Sequence, residues 1–204
     1  VTREELIKAE SKAYHGEGTC TFYGTANSNQ IIMEIMGVHI PGAAFVHPNS
    51  DLRHAYNVLA VEQAVKINRK GNDVRPLGKI IDERSFVNAI IGLLATGGST
   101  NHTLHLPAMA AAAGIKILWE DFDDLSKIIP LLSKVYPNGS ADINQFHAAG
   151  GISFIIGELL NNGLLDGSAK TIWGNNLYDY VSEPTLVNSK INWNISQVKS
   201  FDLD

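Results

Sequence analysis

Apolar side chains recur at helical spacing along most of this chain, and short polar or glycine-rich crossings separate them. After Asn49 and Ser50, apolar residues follow one another three to four positions apart, which predicts a long helix to about residue 70. Thr2 and Glu5 have the spacing of a capping box, so a helix is predicted over residues 2–13. Further helices are predicted from 25–29 to Gly37, over 86–96, from Ser99 or Thr100 to Gly114, from 121–124 up to Pro130, over 141–149 and over 152–160.

One segment has β character. Residues 115–119 are short, β-branched and bounded by a helix stop and acidic turn residues, which predicts a strand. Helix–strand alternation with glycine-rich crossings then predicts an α/β fold class, a helix-rich layered domain with a small parallel sheet. After Gly167, asparagines lie among scattered apolar residues without a clear period. We therefore expect residues 1–167 to form the domain and residues 168–204 to form a connector that leads out of it.

Composition excludes several classes of protein. The 204 residues are 45% apolar, which is ordinary for a globular domain and too high for a disordered chain. The 16 basic and 21 acidic side chains give a net charge of −5, which argues against a basic surface for nucleic acid. No apolar run approaches the roughly 18 residues of a membrane span. The single cysteine, Cys20, cannot form an internal disulfide, and this favours a reducing, cytoplasmic setting.

The start of the chain has no targeting pattern. Val1 is followed by a polar helix start instead of the charged end and apolar stretch of a signal peptide. Because the first residue is not methionine, the start of the chain leaves two interpretations open, a complete protein and an excised piece of a longer one.

Cys20 has two interpretations. Free cysteine is among the most buried residue types, so the first is a small buried thiol. The second is a metal ligand or a nucleophile, because glycines and threonines flank Cys20 and a predicted helix begins just downstream. A helix N-terminus lowers the pKa of a nearby thiol and stabilises bound anions. One cysteine cannot hold a zinc finger or a complete iron–sulfur cluster by itself.

A second candidate site lies at residues 96–102. Gly97 and Gly98 allow close approach of the backbone to a ligand, and Ser99 and Thr100 offer hydroxyls and amides at a predicted helix start. Such an arrangement suits a phosphate or a carboxylate. A plain turn between two helices, with Ser99 or Thr100 as its cap, has the same pattern.

Two further features lie in the helix that follows. His102 lies three residues before His105, a spacing that places both on one helix face, although no nearby carboxylate completes a familiar metal motif. Pro107, inside the same predicted helix, predicts a kink or a break.

The segment around Cys20 and the segment of residues 96–102 resemble a known family. Residues 18–30 around Cys20 are similar to the third-cysteine region of the dihydroxy-acid and phosphogluconate dehydratases, and residues 95–103 are similar to a Gly-Gly-Ser-Thr-Asn element shared across that family. Residues 34–37, 45–48, 136–139 and 141–144 continue the similarity, which covers nearly the whole chain. Residues 21–24 and 28–30 resemble the phosphogluconate branch more specifically.

The resemblance implies the loss of water from a 2,3-dihydroxy acid. In the phosphogluconate branch, 6-phospho-D-gluconate gives 2-dehydro-3-deoxy-6-phospho-D-gluconate, a step of the Entner–Doudoroff pathway. The resemblance implies an iron–sulfur cluster, 4Fe–4S rather than 2Fe–2S, that is held by three cysteines and acts as a Lewis acid on the leaving hydroxyl. It also implies a divalent cation such as Mg2+, with ligands outside this chain.

Few functional residues of the family have a match in this chain. Cys20 matches the third cluster cysteine, whereas the first two cluster cysteines of the family lie upstream and neither occurs here. The family's proton-abstracting serine lies in a later β-rich domain, which we expect to begin beyond Asp204, so no catalytic base is assigned in this chain. The candidates for binding the substrate are Ser99, Thr100, Asn101 and His102.

The resemblance therefore implies a fragment of a cytoplasmic hydro-lyase. It corresponds to part of the family's N-terminal domain, with residues 168–204 leading toward a C-terminal β-rich domain. We expect the fragment alone to be inactive, and the full-length enzyme to act as a homodimer on a small-molecule substrate without nucleic acid or membrane partners. Two alternatives remain open: a sibling dehydratase for another sugar acid or dihydroxy acid, and a cluster-free module that binds a sugar phosphate or a protein partner.

Overall fold

Helices make up most of the regular structure. The structure is a computed structural model that describes residues 1–12, 20 and 22–198. The helices are α1 Arg3–Ser11, α2 Thr25–Ile35, α3 Asp51–Ile67, α4 Leu77–Ile80, α5 Glu83–Thr96, α6 His102–Ala112, α7 Trp119–Ser126, α8 Ile143–Ala148 and α9 Gly151–Asn161. A 3-10 turn over Tyr178–Val181 precedes strands β1 Ser182–Val187 and β2 Lys190–Ile195. The prediction of a helix-rich fold with a small sheet is confirmed.

The sheet itself differs from the prediction. Strands β1 and β2 form an antiparallel hairpin in which Ser182 pairs with Ile195, so the expected parallel sheet is wrong. Asn188 and Ser189 at the turn have φ values of 50° and 61°. Both residues of a type I′ turn need a positive φ, and this turn lacks the glycine by which such hairpins are usually detected.

The predicted strand at residues 115–119 is also wrong. Residues 115–118 pair with no strand in the described part of the chain, and Trp119 already begins α7. Ile115 and Ile117 instead pack against the cluster of α5 and α6 that contains Phe86. Their β-branched side chains therefore serve as apolar contacts of an extended link, because no neighbouring strand is there to complete a ladder.

Helix α2 is the centre of the packing. Ile31 and Ile35 lie in one buried cluster with Ile155 and Leu159 of α9. Ile32 and Met36 lie in a second cluster, with residues of α5 and α6. Because α2 is buried on both of these sides, the nearly continuous apolar run of residues 31–36 is explained.

Helix α6 continues through Pro107 without the break that one alternative predicted. A proline has no N–H to donate to the carbonyl four residues earlier, here that of Thr103. The indole Nε1 of Trp119 donates to this Thr103 oxygen at 3.1 Å. The start of α7 therefore satisfies the acceptor that Pro107 leaves free.

The segment after residue 167 packs on the helices. Leu177 and Tyr180 are fully buried there. Arg75 Nη1 donates to the carbonyl oxygens of Thr171 and Gly174 at 3.2 and 2.7 Å. The sequence pattern did not reveal this packing, and the expectation that residues 168–204 lead toward a further domain stays a prediction. No helix in the described part of the chain is both long and apolar enough to cross a membrane.

Glu34 of α2 is a fully buried carboxyl group. It accepts hydrogen bonds from the backbone N–H groups of Gly42 at 2.5 Å and Ala44 at 3.2 Å, and so holds the turn after α2. Burial raises the pKa of Glu34 to about 7 even though both hydrogen bonds favour the ionised form. The buried carboxyl group therefore titrates near neutral pH.

We expect Glu34 to make the chain less stable as pH rises from 5 to 8. The folded state keeps the Glu34 proton up to about pH 7, whereas the unfolded state releases it near its ordinary pKa, so the free energy of unfolding falls across this interval and is constant above it. The loss is on the order of 3 kcal/mol. Urea denaturation at a series of pH values measures it.

The matched control is Glu34→Gln, which keeps the shape and removes the titration. His39 has a pKa lowered by burial and by Arg53, so its own effect on stability has the opposite sign and is present in both proteins. The difference in the pH dependence of the unfolding free energy between wild type and E34Q therefore measures the contribution of Glu34. An unchanged pH slope in E34Q would contradict the expectation.

Candidate functional site

The two candidate motifs meet at the N-terminal end of α2. The Thr25 and Ser99 hydroxyl oxygens are 2.8 Å apart, and Asn101 Nδ2 donates to Thr25 Oγ1 at 2.7 Å. These residues are more than 70 positions apart in the sequence, and the packing of α2 on α5 brings them together. We call Thr25, Ser28, Ser99, Asn101 and His102 the polar cluster.

Ser28 is the buried centre of the polar cluster. Its hydroxyl oxygen accepts the Ser99 backbone N–H at 3.2 Å and lies 3.0 Å from His102 Nε2. It also lies 3.0 Å from the Gly24 carbonyl oxygen, to which it donates. Since the hydroxyl has one proton, His102 Nε2–H is then the donor to Ser28. Burial, and to a lesser extent His105, lowers the pKa of His102, which favours the neutral ring that this arrangement needs.

The glycine pair makes this close contact possible. Gly97 has a φ of 60° and ends α5 in the left-handed conformation. A Cβ atom at Gly98 would lie 2.6 Å from Leu93 Cδ1 and 3.0 Å from Ser28 Cβ. The close approach of the backbone that the sequence predicts at Gly97 and Gly98 is therefore present, and the group that this backbone approaches is helix α2.

The predicted cap of α6 is wrong. The helix begins at His102 and has Asn101 as its N-cap residue, without a side-chain capping bond. The Ser99 hydroxyl is directed to Thr25, and it also accepts the Asn101 backbone N–H at 3.3 Å. Thr100 is exposed, and its side chain makes no hydrogen bond to the described residues. The hydroxyl and amide of Thr100 therefore remain for a ligand, whereas most of its neighbours bind one another.

Cys20 is exposed, which excludes the interpretation as a buried thiol. The Asn27 side chain donates to the carbonyl oxygens of Cys20 at 3.1 Å and Phe22 at 2.6 Å. Among the described residues, the Cys20 thiol itself has one long contact, of 3.7 Å to the Phe22 oxygen. Asn27, in the first turn of α2, therefore holds the backbone at Cys20 and at Phe22, next to an accessible thiol. The glycines and threonines at 16, 18, 19 and 21 lie outside the described residues.

Among the described residues, the soft metal donor of this site is the thiol of Cys20. The described residues contain no group of three or more His, Cys, Asp or Glu side chains that could hold a metal ion. The rings of His102 and His105 have centroids 5.7 Å apart, but His102 Nε2 is engaged by Ser28. An exposed thiol on an anchored loop fits a cluster ligand, and further ligands have to come from outside the described residues.

Sequence reasoning counted the Thr25 hydroxyl among the surroundings of Cys20 but did not assign a role in the site to Asn27 or Ser28. The hydroxyl and amide side chains of residues 25–29 are all candidates for capping α2 in the sequence, yet the N-cap residue is Gly24 and makes no side-chain bond. One helix needs only one N-cap, so a run of such candidates is a signal of additional polar contacts.

Replacing Ser28 by alanine is expected to reduce the free energy of unfolding by about 2 kcal/mol, because the Ser99 N–H and His102 Nε2 lose their buried partner. Urea denaturation of the chain measures this. Ser153→Ala is the matched control, since Ser153 is also buried and makes one hydrogen bond, to the Ser182 carbonyl at 3.1 Å. A smaller loss for S28A than for S153A would contradict a central role of Ser28.

The chain is similar to known proteins over most of its length. Residues 1–180 match the family model described as "Dihydroxy-acid/6-phosphogluconate dehydratase N-terminal". The chain therefore belongs to the dihydroxy-acid/6-phosphogluconate dehydratase family, and the resemblance to this family is confirmed.

Individual relatives point to one branch of the family. The phosphogluconate dehydratase of Rhizobium meliloti (strain 1021) is 56% identical over 186 residues, which are 91% of this chain and 31% of that protein. The phosphogluconate dehydratase of Escherichia coli (strain K12) is 52% identical over 202 residues, 99% of this chain and 34% of that protein. A dihydroxy-acid dehydratase of Moorella thermoacetica is 36% identical over 182 residues, 89% of this chain and 32% of that protein. The chain spans about a third of the length of these relatives.

Proposed function

We propose that the full-length protein is a hydro-lyase that dehydrates 6-phospho-D-gluconate to 2-dehydro-3-deoxy-6-phospho-D-gluconate, in the Entner–Doudoroff pathway. The observation that carries the proposal is the exposed Cys20, anchored at the start of α2 on which the 96–102 motif also converges. The relatives named phosphogluconate dehydratase, at 56% and 52% identity, favour this substrate over that of the dihydroxy-acid dehydratase at 36%.

In this proposal Cys20 supplies one thiolate to an iron–sulfur cluster, 4Fe–4S rather than 2Fe–2S. When bound, such a cluster supplies a Lewis acid for the hydroxyl that leaves. Asn27 fixes the backbone of the Cys20 loop, so that the thiol is held at the surface beside the polar cluster. A divalent cation such as Mg2+ would have its ligands outside this chain.

The residues of the 96–102 motif would bind and orient the substrate. Thr100 and Asn101 are exposed at the rim of the polar cluster and offer hydroxyl and amide groups to the oxygens of a sugar acid. Ser99 and neutral His102 hold the Thr25 and Ser28 side chains beneath them. No group in this chain is assigned to proton abstraction, which the proposal gives to a serine of a β-rich domain beyond residue 204. The full-length enzyme is proposed to be a cytoplasmic homodimer.

The test compares the full-length protein with this chain. With 6-phospho-D-gluconate, the full-length protein is expected to form the 2-keto acid and the 204-residue chain is expected to be inactive, because it supplies one cluster ligand. Gluconate and a 2,3-dihydroxy carboxylic acid are assayed side by side. Faster turnover of either by the full-length protein would assign it to a sibling dehydratase. Turnover by the isolated chain at the full-length rate would reject the proposal that the active site needs residues from outside this chain.

A further inference from the structure

A groove lies on the side of α3 that faces the turn after α2, in a part of the surface to which the proposed function assigns nothing. Its volume is about 400 Å3, within the range of sites that hold small metabolites. Its polar lining comes from three places: Gln30 of α2, His39 of the turn, and Arg53, Asn57 and Gln63 of α3. Cys20 and residues 96–102 do not line it.

Arg53 is the charged group of the groove. Its Nη2 donates to the carbonyl oxygens of Ala43 at 2.8 Å and Val46 at 2.6 Å, and its Nε donates to Val46 at 3.2 Å. Within the described part of the chain, Arg53 has no carboxylate partner, and its side-chain hydrogen bonds come from Nε and Nη2, not from Nη1. A half-buried guanidinium with one nitrogen uncommitted is suited to an oxyanion.

A second unsatisfied group lies in the same wall. His39 Nδ1 is buried and has no hydrogen-bond partner among the described residues. Buried polar atoms without a partner are rare in folded proteins, and a bound water, ion or ligand often supplies the missing hydrogen bond. The amide groups of Gln30 and Asn57 also line the groove, and neither side chain makes a hydrogen bond to the described residues. By contrast, Gln63 donates to the Ile172 carbonyl oxygen and is committed to the fold.

We propose that this groove binds a small molecule through an oxyanion, a phosphate or a carboxylate, with Arg53 Nη1 as the principal donor and the amides of Gln30 and Asn57 beside it. The spacing of the groups supports the arrangement, since Asn57 follows Arg53 by four residues and so lies next to it on the same helix face. The volume leaves room for the body of a metabolite, and the apolar lining from Ile40, Ala60 and Ile67 would contact it. The site is independent of the proposed dehydration.

The test uses the 204-residue chain and isothermal titration with inorganic phosphate, gluconate and 6-phospho-D-gluconate. These three probes separate free phosphate, a carboxylate alone and a phosphate on a sugar acid. Arg53 also holds the 43–46 turn, so the main variant is Asn57→Asp, whose carboxylate is placed to pair with Arg53 and compete with the ligand. We expect N57D to weaken binding of whichever probe binds by about fivefold to tenfold.

Val58→Asp is the matched control. Val58 is the next residue of α3, is 60% exposed and does not line the groove, so V58D adds the same charge to the same helix. We expect its affinity to stay within about twofold of wild type. Three results would overturn the proposal: no binding of any probe, equal weakening by V58D and N57D, or weakening by Ser99→Ala with none by N57D, which would place the anion at the polar cluster.

Discussion

Under the proposed function, replacing Cys20 by serine in the full-length protein is expected to remove the proposed iron–sulfur cluster and at least about 100-fold of the proposed dehydratase activity. A thiolate is the cluster ligand, and a serine hydroxyl remains protonated at neutral pH and is a poor ligand for iron. The measurements are iron and sulfide content, the visible absorbance of the cluster and turnover of 6-phospho-D-gluconate. Retention of the full chromophore and activity in C20S would reject the role of Cys20.

The same substitution in the 204-residue chain is the control, and it is expected to leave stability unchanged. Cys20 is exposed, and its thiol makes one long contact, of 3.7 Å, with the described residues, so serine removes no packing against them and leaves none of their buried polar groups unpaired. A structural role for the thiol predicts instead that C20S lowers the unfolding free energy of the isolated chain. Urea denaturation of the two chains therefore separates loss of a ligand from loss of the fold.

Local patterns predicted the helices well, because the signals of a helix lie within a few residues of one another. Thr2 and Glu5 form the predicted capping box, and Ser50 caps α3 by accepting the Arg53 backbone N–H at 3.2 Å. Strands depend on a partner elsewhere in the chain. Residues 115–118 have β character without such a partner, whereas the hairpin at 182–195 has a partner and only a weak local signal.

In the candidate site, too, local features could be predicted from the sequence and contacts between distant residues could not. Its two motifs could be recognised from their own residues, but the contacts between them join positions more than 70 residues apart, as in the pairs Thr25–Ser99 and Ser28–His102. Sequence alone therefore predicted Ser99 as a cap or an anion donor, when its hydroxyl binds α2. The groove at Arg53 and the buried Glu34 were not predicted either, because a charged residue at a helical position is normally exposed.

The largest loss of stability in this chain is expected for Gly37→Ala, about 2–5 kcal/mol of unfolding free energy. Gly37 has a φ of 73°, and an L-residue in this conformation costs about 1–2 kcal/mol. A Cβ atom there would also lie 2.5 Å from Thr171 Cγ2 and 3.1 Å from Thr171 Cα. Relief would have to displace backbone, and overpacking of this kind adds about 1–3 kcal/mol. The Gly37 carbonyl accepts the Ile172 N–H at 2.8 Å, so the same displacement would weaken this bond.

Gly114→Ala separates the conformational cost of a positive φ from the cost of the contact with Thr171. Gly114 has nearly the same conformation, with a φ of 77°, but a Cβ atom there would meet no atom within 4 Å. G114A is therefore expected to cost only the conformational part, about 1–2 kcal/mol, and the excess in G37A measures the contact between the end of α2 and residues 171–172. Urea denaturation of both variants gives this difference. Equal losses would mean that the segment after residue 167 does not pack on α2. The domain would then end at residue 167, as the sequence pattern predicts.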